Sequence, residues 1–277
     1  MKESVDNSEI IGHYKGAGLY DSILEGLKKS GIELNDIASD HLSAADEFHI
    51  GGTEATKFVA DQLGEISNQK ILDVGCGIGG PARFIANKTE CQVVGIDLTP
   101  SFVKTGNALT DLVSMRNSVN LIEGNAADMS SYPDSYDAAY MIHVGMNISD
   151  KRSAFKGVSG ALKTGSRFVI YDIMRMKEGQ LTFPLPWASK GEGSAVDSPA
   201  NYTSILESVG LKVTDIEVKK EFAVEFFQKM MKRMEGGPPP LGLHLVMGQD
   251  TPIKVQNVHK QIVEGLIAPV LMVARKD

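Results

Sequence analysis

The chain has 277 residues, 42% of them hydrophobic and 23% charged, with a formal net charge of −7 and two cysteines. That length allows one large or two small domains, and a chain of this size buries roughly three quarters of the surface its unfolded form exposes. The acidic balance argues against nucleic acid as a partner, because phosphate binding needs Lys and Arg in excess. It leaves a cationic ligand open. Cys76 and Cys91 cannot build a disulfide framework and suit a reducing, cytoplasmic setting. Met1 to Ile10 lack the apolar core of a signal peptide, and no run of about 18 apolar residues is present to span a membrane.

In chain order, residues 1–50 are polar with helical spacing around Tyr20 to Leu27, and Phe48-His49-Ile50-Gly51-Gly52 is a turn signal. A helix is expected over about 53–64 with Thr53 as its N-cap. Apolar strands then read at 70–74, 92–96, 119–122, 137–142 and 167–172, with helical stretches between them. Pro81 suits the first turn of a helix at 81–88, and Gly165 is the expected stop of a helix at about 151–163. Further strands are expected at 211–218 and 270–274. Between them, about fifty residues hold two helical stretches and the loop from Gly236 to Gly242, too long for a simple connection. Alternating strands and helices imply a mostly parallel sheet with helices on both faces, with this piece lying over one end of it.

The stretch Ile71-Leu-Asp73-Val-Gly75-Cys-Gly77-Ile-Gly79 carries the most chemistry. It runs from a strand into a turn too small for side chains, and Val93 to Asp97 supplies the next strand, ending in an acid that can accept both hydroxyls of a ribose. Gly75-x-Gly77-x-x-Gly80 satisfies the dinucleotide fingerprint, which alone is weak. Asp73 points elsewhere, because a carboxylate two places before the first glycine repels a pyrophosphate and attracts an ammonium or sulfonium.

With Asp73 to Arg83, preceded by Phe48 to Thr56, the chain resembles class I S-adenosylmethionine-dependent methyltransferases over about residues 41–218. The resemblance is to the small-molecule branch, which includes sarcosine and dimethylglycine, phosphoethanolamine and natural-product methyltransferases. It implies a Rossmann-like seven-stranded α/β fold, with residues 1–52 as a helical lid and 53–277 as the methyltransferase domain; the long helical segment at about 219–267, beyond the resemblance, is expected to act as a cap. It implies S-adenosylmethionine as cofactor: Gly75 and Gly77 hold its amino-acid part, with Asp73 near the ammonium. Asp97 takes the ribose, Leu98 packs on adenine, and Asn125 with Ala126 reads the adenine edge, Asn125 standing where the family usually has Asp. His143 falls beside the methionine part, and Tyr20 and His49 match lid positions. Phosphoethanolamine enzymes carry a His where Asn147 stands and an Arg where Ile142 stands, so a phosphobase substrate is not expected.

Each of these residues has a plainer reading. His143 could be a satisfied histidine at a strand end, His49 part of a glycine turn, and Asn147 a cap for the helix beginning near Ser149 rather than a substrate contact. Trp187 is as suited to packing as to lining a substrate site. The stripe Glu221 to Met234 usually means a helix packed on its neighbours; a substrate wall, a homodimer contact or a membrane face is the alternative. No metal-ligand spacing is present. The expected reaction is methyl transfer to a nitrogen or oxygen of a small-molecule acceptor, with His143 as base and Asn147 beside it. A nicotinamide-dependent oxidoreductase and a catalytically silent cofactor-binding subunit are the alternatives.

Overall fold

A computed structural model describes residues 18–129, 131–235, 237 and 239–277. The rest of the expected lid, residues 1–17, lies outside the described residues. Seven strands, β1 (Lys70–Val74), β2 (Gln92–Asp97), β3 (Val119–Glu123), β4 (Tyr136–Ile142), β5 (Leu162–Arg175), β6 (Leu211–Val218) and β7 (Ile267–Lys276), form one sheet in the order β3-β2-β1-β4-β5-β7-β6. The first five pair in parallel, and β7 runs antiparallel between β5 and β6.

The central strands are continuous apolar runs because both faces of the sheet are covered. With the two-residue period of a strand, Leu72, Met141 and Ile170 face Phe155 and Val158 of α6 (Lys151–Ala161) and Leu206 of α7 (Pro199–Glu207). Ile71, Tyr140 and Val169 face the other way, against Val59 of α3 (Thr53–Gln62) and Ile85 of α4 (Gly80–Thr89). Helix α5 (Pro100–Leu112) follows β2. Its Phe102 and Leu109 pack with Ile23 and Leu27 of α1 (Leu19–Lys29) and with Ala45 of the short helix α2 (Ser43–Asp46).

The segment after β6 forms α8 (Lys220–Met234), the short α9 (His244–Met247) and α10 (Thr251–Val263). Ala223, Phe227, Val258 and Ile262 bury themselves against Ile173 and Ile267, at the carboxyl end of β5. The long piece therefore sits over the sheet end, where its apolar stripe finds cover. Leu241 joins the cluster of α1, so this piece and the N-terminal segment share one small core. No helix among the described residues is long and apolar enough to cross a membrane.

Two local expectations fail for backbone reasons. Gly52, at φ 51 and ψ −141, holds the N-cap place of α3, and Thr53 is the first helical residue; that backbone is open to glycine and strained for threonine. Helix α6 ends at Ala161 and turns straight into β5, so Gly165 stops no helix. Its φ of 80 serves a bulge instead: Leu162 pairs with Tyr136 and Arg167 with Ala138, so β5 loops out the residues between.

Candidate active site

Chain direction across the sheet reverses between β1 and β4, and in such sheets the crevice opens at the carboxyl ends beside that switch. A cavity of about 410 Å³ lies there. Gly75 has φ 76, and a Cβ on it would stand 2.4 Å from Cγ2 of Val144, so the loops after β1 and β4 abut. Gly77 has φ 53 and differs: beyond its chain neighbours, no atom of the described residues lies within 4 Å of where a Cβ would stand, and the residue lines the cavity. Asp97 fastens this turn, its Oδ2 accepting from the Gly77 N–H at 2.9 Å and its Oδ1 from the Thr99 N–H at 2.8 Å. Each oxygen keeps lone-pair capacity for a further donor. Leu98, Gly124, Asn125 and Ala126 continue the wall. The Asn125 Oδ1 accepts from the Ala127 N–H at 2.9 Å, so its amide already shapes its own loop.

Beneath the turn lies a buried charge network that sequence reading missed. Arg83, 1% exposed, donates to Asp46 Oδ2 at 2.8 Å, to the Ile78 carbonyl at 2.7 Å and to Thr110 Oγ1 at 2.8 Å. Glu47 is buried beside it and accepts from Thr56 Oγ1 at 2.5 Å. Burial pushes the Glu47 carboxyl up to about 8, and Asp46 reinforces the shift. Asp73 is buried, its Oδ2 without a hydrogen-bond partner among the described residues. Burial pushes it too up to about 8, opposed by the Tyr140 hydroxyl and reinforced by Asp97.

These shifts set the pH dependence of the free protein. A carboxyl raised when folded contributes stability that is full below its unfolded pKa and is lost as pH rises through the folded one. His49, lowered by burial to about 4, works the other way, but its contribution is complete above about 6.5. Between pH 6.5 and 8 the acids therefore decide. Thermal melts should show stability falling by about 1–2 kcal/mol for each of Asp73 and Glu47, and Asp73→Asn should flatten the fall. A melting temperature that rises over that window would sink this account.

At the end of β4 the chain turns through His143 at φ 53. Its ring stacks on Tyr171, centroids 5.3 Å apart at 25°, and stands 5.9 Å from the ring of His49. Nε2 of His143 is buried without a hydrogen-bond partner among the described residues. Burial, and then His49, hold this imidazole well below its usual pKa, so it is neutral at pH 7. The Nε2 of His49 lies 3.0 Å from the Gly52 carbonyl and donates to it. Asn147 is buried in a 3-10 turn, Gly145–Asn147, and lines the cavity. It caps no helix: Asp150 does, accepting from the Ser153 N–H at 3.0 Å, because it stands three residues before that donor. Trp187 is 3% exposed; its Nε1 donates to Ser194 Oγ at 3.0 Å while the ring borders the cavity. Tyr20 does not reach the cavity and packs in the small core of α1.

Residues 72–170 match the family described as a methyltransferase domain. The chain is 27% identical over 206 residues to O-methyltransferase resE of Aspergillus sclerotiorum, covering 70% of this chain and 75% of that protein. It is 32% identical over 189 residues to Phosphoethanolamine N-methyltransferase 3 of Arabidopsis thaliana, covering 66% of this chain but only 36% of that one. Geranyl diphosphate C-methyltransferase from Streptomyces coelicolor A3(2), solved with S-adenosyl-L-homocysteine, superposes with a TM-score of 0.66 at 19% identity, over 80% of this chain and 78% of that one. Residues 72–170 of this chain form a methyltransferase domain, set in a sheet of the class I Rossmann-like order.

The methyltransferase domain supplies the cavity walls from β1, β2 and the loops after β3 and β4. Asp46, Phe48, His49 and Ile50, and Pro186 with Trp187, add to them, and the segment beyond β6 closes the far side with Phe226, Phe227 and Met230 of α8, Val246 and Met247 of α9, and Val255 of α10. Helix α8 thus both packs and lines, as its apolar face is wider than its contact with Ile173. The residue types were legible as a stripe; which of them face a cavity depends on how α8, α9 and α10 meet. Arg83 had a signal too, a lone cation within Pro81-Ala-Arg-Phe-Ile-Ala86.

Proposed function

We propose that this chain transfers the methyl group of S-adenosylmethionine to a nitrogen or oxygen of a small molecule, with residues 1–52 as lid and about 219–267 as cap. The observation that carries the reading is the Gly77 cradle, open to the cavity at the switch point and tied to Asp97. The residues suit the cofactor. Asp73, buried behind the lining with its Oδ2 unpartnered among the described residues, supplies negative potential for an ammonium, Asp97 has capacity left for ribose hydroxyls, and Leu98, Asn125 and Ala126 border the place for adenine. When bound, the cofactor supplies a methyl whose bond to sulfur breaks with its electron pair left on sulfur, while a lone pair of the acceptor forms the new bond. His143 Nε2 takes the proton of a hydroxyl acceptor, and Asn147 and His49 hold it in line; alignment and exclusion of water are the larger part of such catalysis.

We place the protein in the cytoplasm, in keeping with its free, buried Cys76 and Cys91. The acidic balance supports a small molecule rather than nucleic acid as partner, and the exposed Ile216 and Val218 of edge strand β6 are where a homodimer would close.

Calorimetric titration with S-adenosylmethionine, S-adenosylhomocysteine and NAD tests the reading. The two adenosyl ligands are expected to bind and NAD is not. Asp97→Ala removes two charge-assisted hydrogen bonds of the turn and the ribose acceptor, and should weaken S-adenosylhomocysteine by roughly 10- to 100-fold. Binding of NAD alone would overturn the proposal in favour of an oxidoreductase. Adenosyl binding without turnover of any acceptor would favour a silent subunit.

A further inference from the structure

The cap-side walls of the cavity carry the information about the acceptor. Phe226, Phe227, Met230, Val246, Met247 and Val255 face it with hydrocarbon and thioether alone, joined by Pro186 and the ring of Trp187. Among the described residues no lysine and no arginine lines any part of the cavity. The carboxylates that do border it have work elsewhere: Asp46 is paired with Arg83, Asp97 holds the glycine turn and Asp150 caps α6.

A carboxylate, phosphate or diphosphate entering such a chamber would lose its hydration and meet no counter-charge, at a cost of several kcal/mol per ion. A cationic acceptor would meet no spare carboxylate on the cap side and would stand near the cofactor's own positive sulfur. Where β4 ends, the cavity lining holds two polar residues with capacity to spare: His143, whose Nε2 is buried with no hydrogen-bond partner among the described residues, and Asn147. They suit one hydrogen-bonding handle. The methionines add adaptability, since an unbranched thioether side chain fits irregular apolar shapes.

Resting on the methyltransferase reading above, we propose that the acceptor is an uncharged, mainly hydrocarbon molecule that presents one hydroxyl or neutral amine to His143 and Asn147 while its body lies against α8, α9 and α10. This sets the chain apart from proteins whose names specify charged acceptors, such as phosphoethanolamine or geranyl diphosphate.

The test uses the full chain and N-phenyl-1-naphthylamine, an uncharged apolar fluorophore, titrated with S-adenosylhomocysteine present. Saturable emission is expected, displaced by geraniol but not by geranyl diphosphate or phosphoethanolamine at equal concentration. Met230→Lys and Val246→Lys, both at half-buried positions where a lysine can reach water, should each weaken the probe by about tenfold or more. S-adenosylhomocysteine affinity, read separately by calorimetry, should stay within about threefold. Displacement by phosphoethanolamine or geranyl diphosphate ahead of geraniol overturns the proposal, as does probe binding that neither lysine disturbs. The displacement series needs no variant, so it decides the matter even if both substitutions fail to fold. Absence of S-adenosylhomocysteine binding would instead sink the methyltransferase reading and leave the probe result standing by itself.

Discussion

Arg83→Ala is expected to destabilise the protein by about 3–5 kcal/mol, the cost of removing one partner of a buried ion pair. For a chain of this size that lowers the melting temperature by roughly 10 °C. The reason lies in how many elements the guanidinium joins. It reaches Asp46 of α2 at 2.8 Å, the Ile78 carbonyl of the glycine turn at 2.7 Å, and the Gly106 carbonyl of α5 at 3.2 Å. Gly80 lets α2 approach this closely, since a Cβ there would stand 2.2 Å from the Asp46 carbonyl oxygen. Without Arg83, Asp46 is a buried carboxylate with no counter-charge; burial already holds its pKa above the ordinary value despite the arginine. Calorimetric melts of Arg83→Ala, Asp46→Leu and an Arg83→Met/Asp46→Leu pair check this. The pair should recover most of the loss, because apolar groups of similar size replace a buried ion pair at little cost. A loss under about 1 kcal/mol in Arg83→Ala would mean that the network relaxes or floods with water. Because Arg83 grips Ile78, S-adenosylhomocysteine affinity should fall along with stability.

What the chain reveals by itself divides along the range of the forces involved. Strands β1, β4 and β5 are readable because a strand buried on both faces is a continuous apolar run, and the glycine turn because a close backbone approach needs residues without Cβ. Asp97 is readable as an acid after a strand, but its hold on the Gly77 N–H, twenty residues back, is not. Arg83 and Asp46 are 37 residues apart, and nothing local pairs them. Asn147 looked like a cap because Ser149 invites one, yet the donor that needs capping is the Ser153 N–H, and Asp150 is the residue in register with it. Gly165 looked like a helix stop because a glycine after a helix usually is one; the register of β5 on β4 made it a bulge. Tyr20 failed for a different reason. The face that α1 presents is set by packing with α5 and Leu241, which no pattern within α1 contains.

His143→Asn should reduce turnover of an unactivated hydroxyl acceptor by on the order of 10²- to 10⁴-fold, the range typical of a removed general base. Asparagine is chosen because it tolerates the left-handed backbone that His143 adopts at φ 53 better than most residues, so the loss reads chemistry rather than strain. The imidazole is poised in an unusual way. Burial and His49 keep it neutral, which spares a cationic cofactor a like charge, and Nε2 is left without a partner to accept a proton. A base held well below its usual pKa is a weak one, so it helps only when the acceptor oxygen is aligned and its proton leaves in step with methyl transfer. Two readouts separate that role from mere positioning. With wild-type protein the acid limb of kcat should lie well below the ordinary imidazole range, and in His143→Asn it should give way to a rate that climbs with pH as the acceptor itself ionises. With a neutral amine acceptor, whose proton can leave after transfer, the same substitution should cost about tenfold or less. Equal losses for both acceptors, with an unchanged pH profile, would leave His143 as a positioning residue stacked on Tyr171 and nothing more.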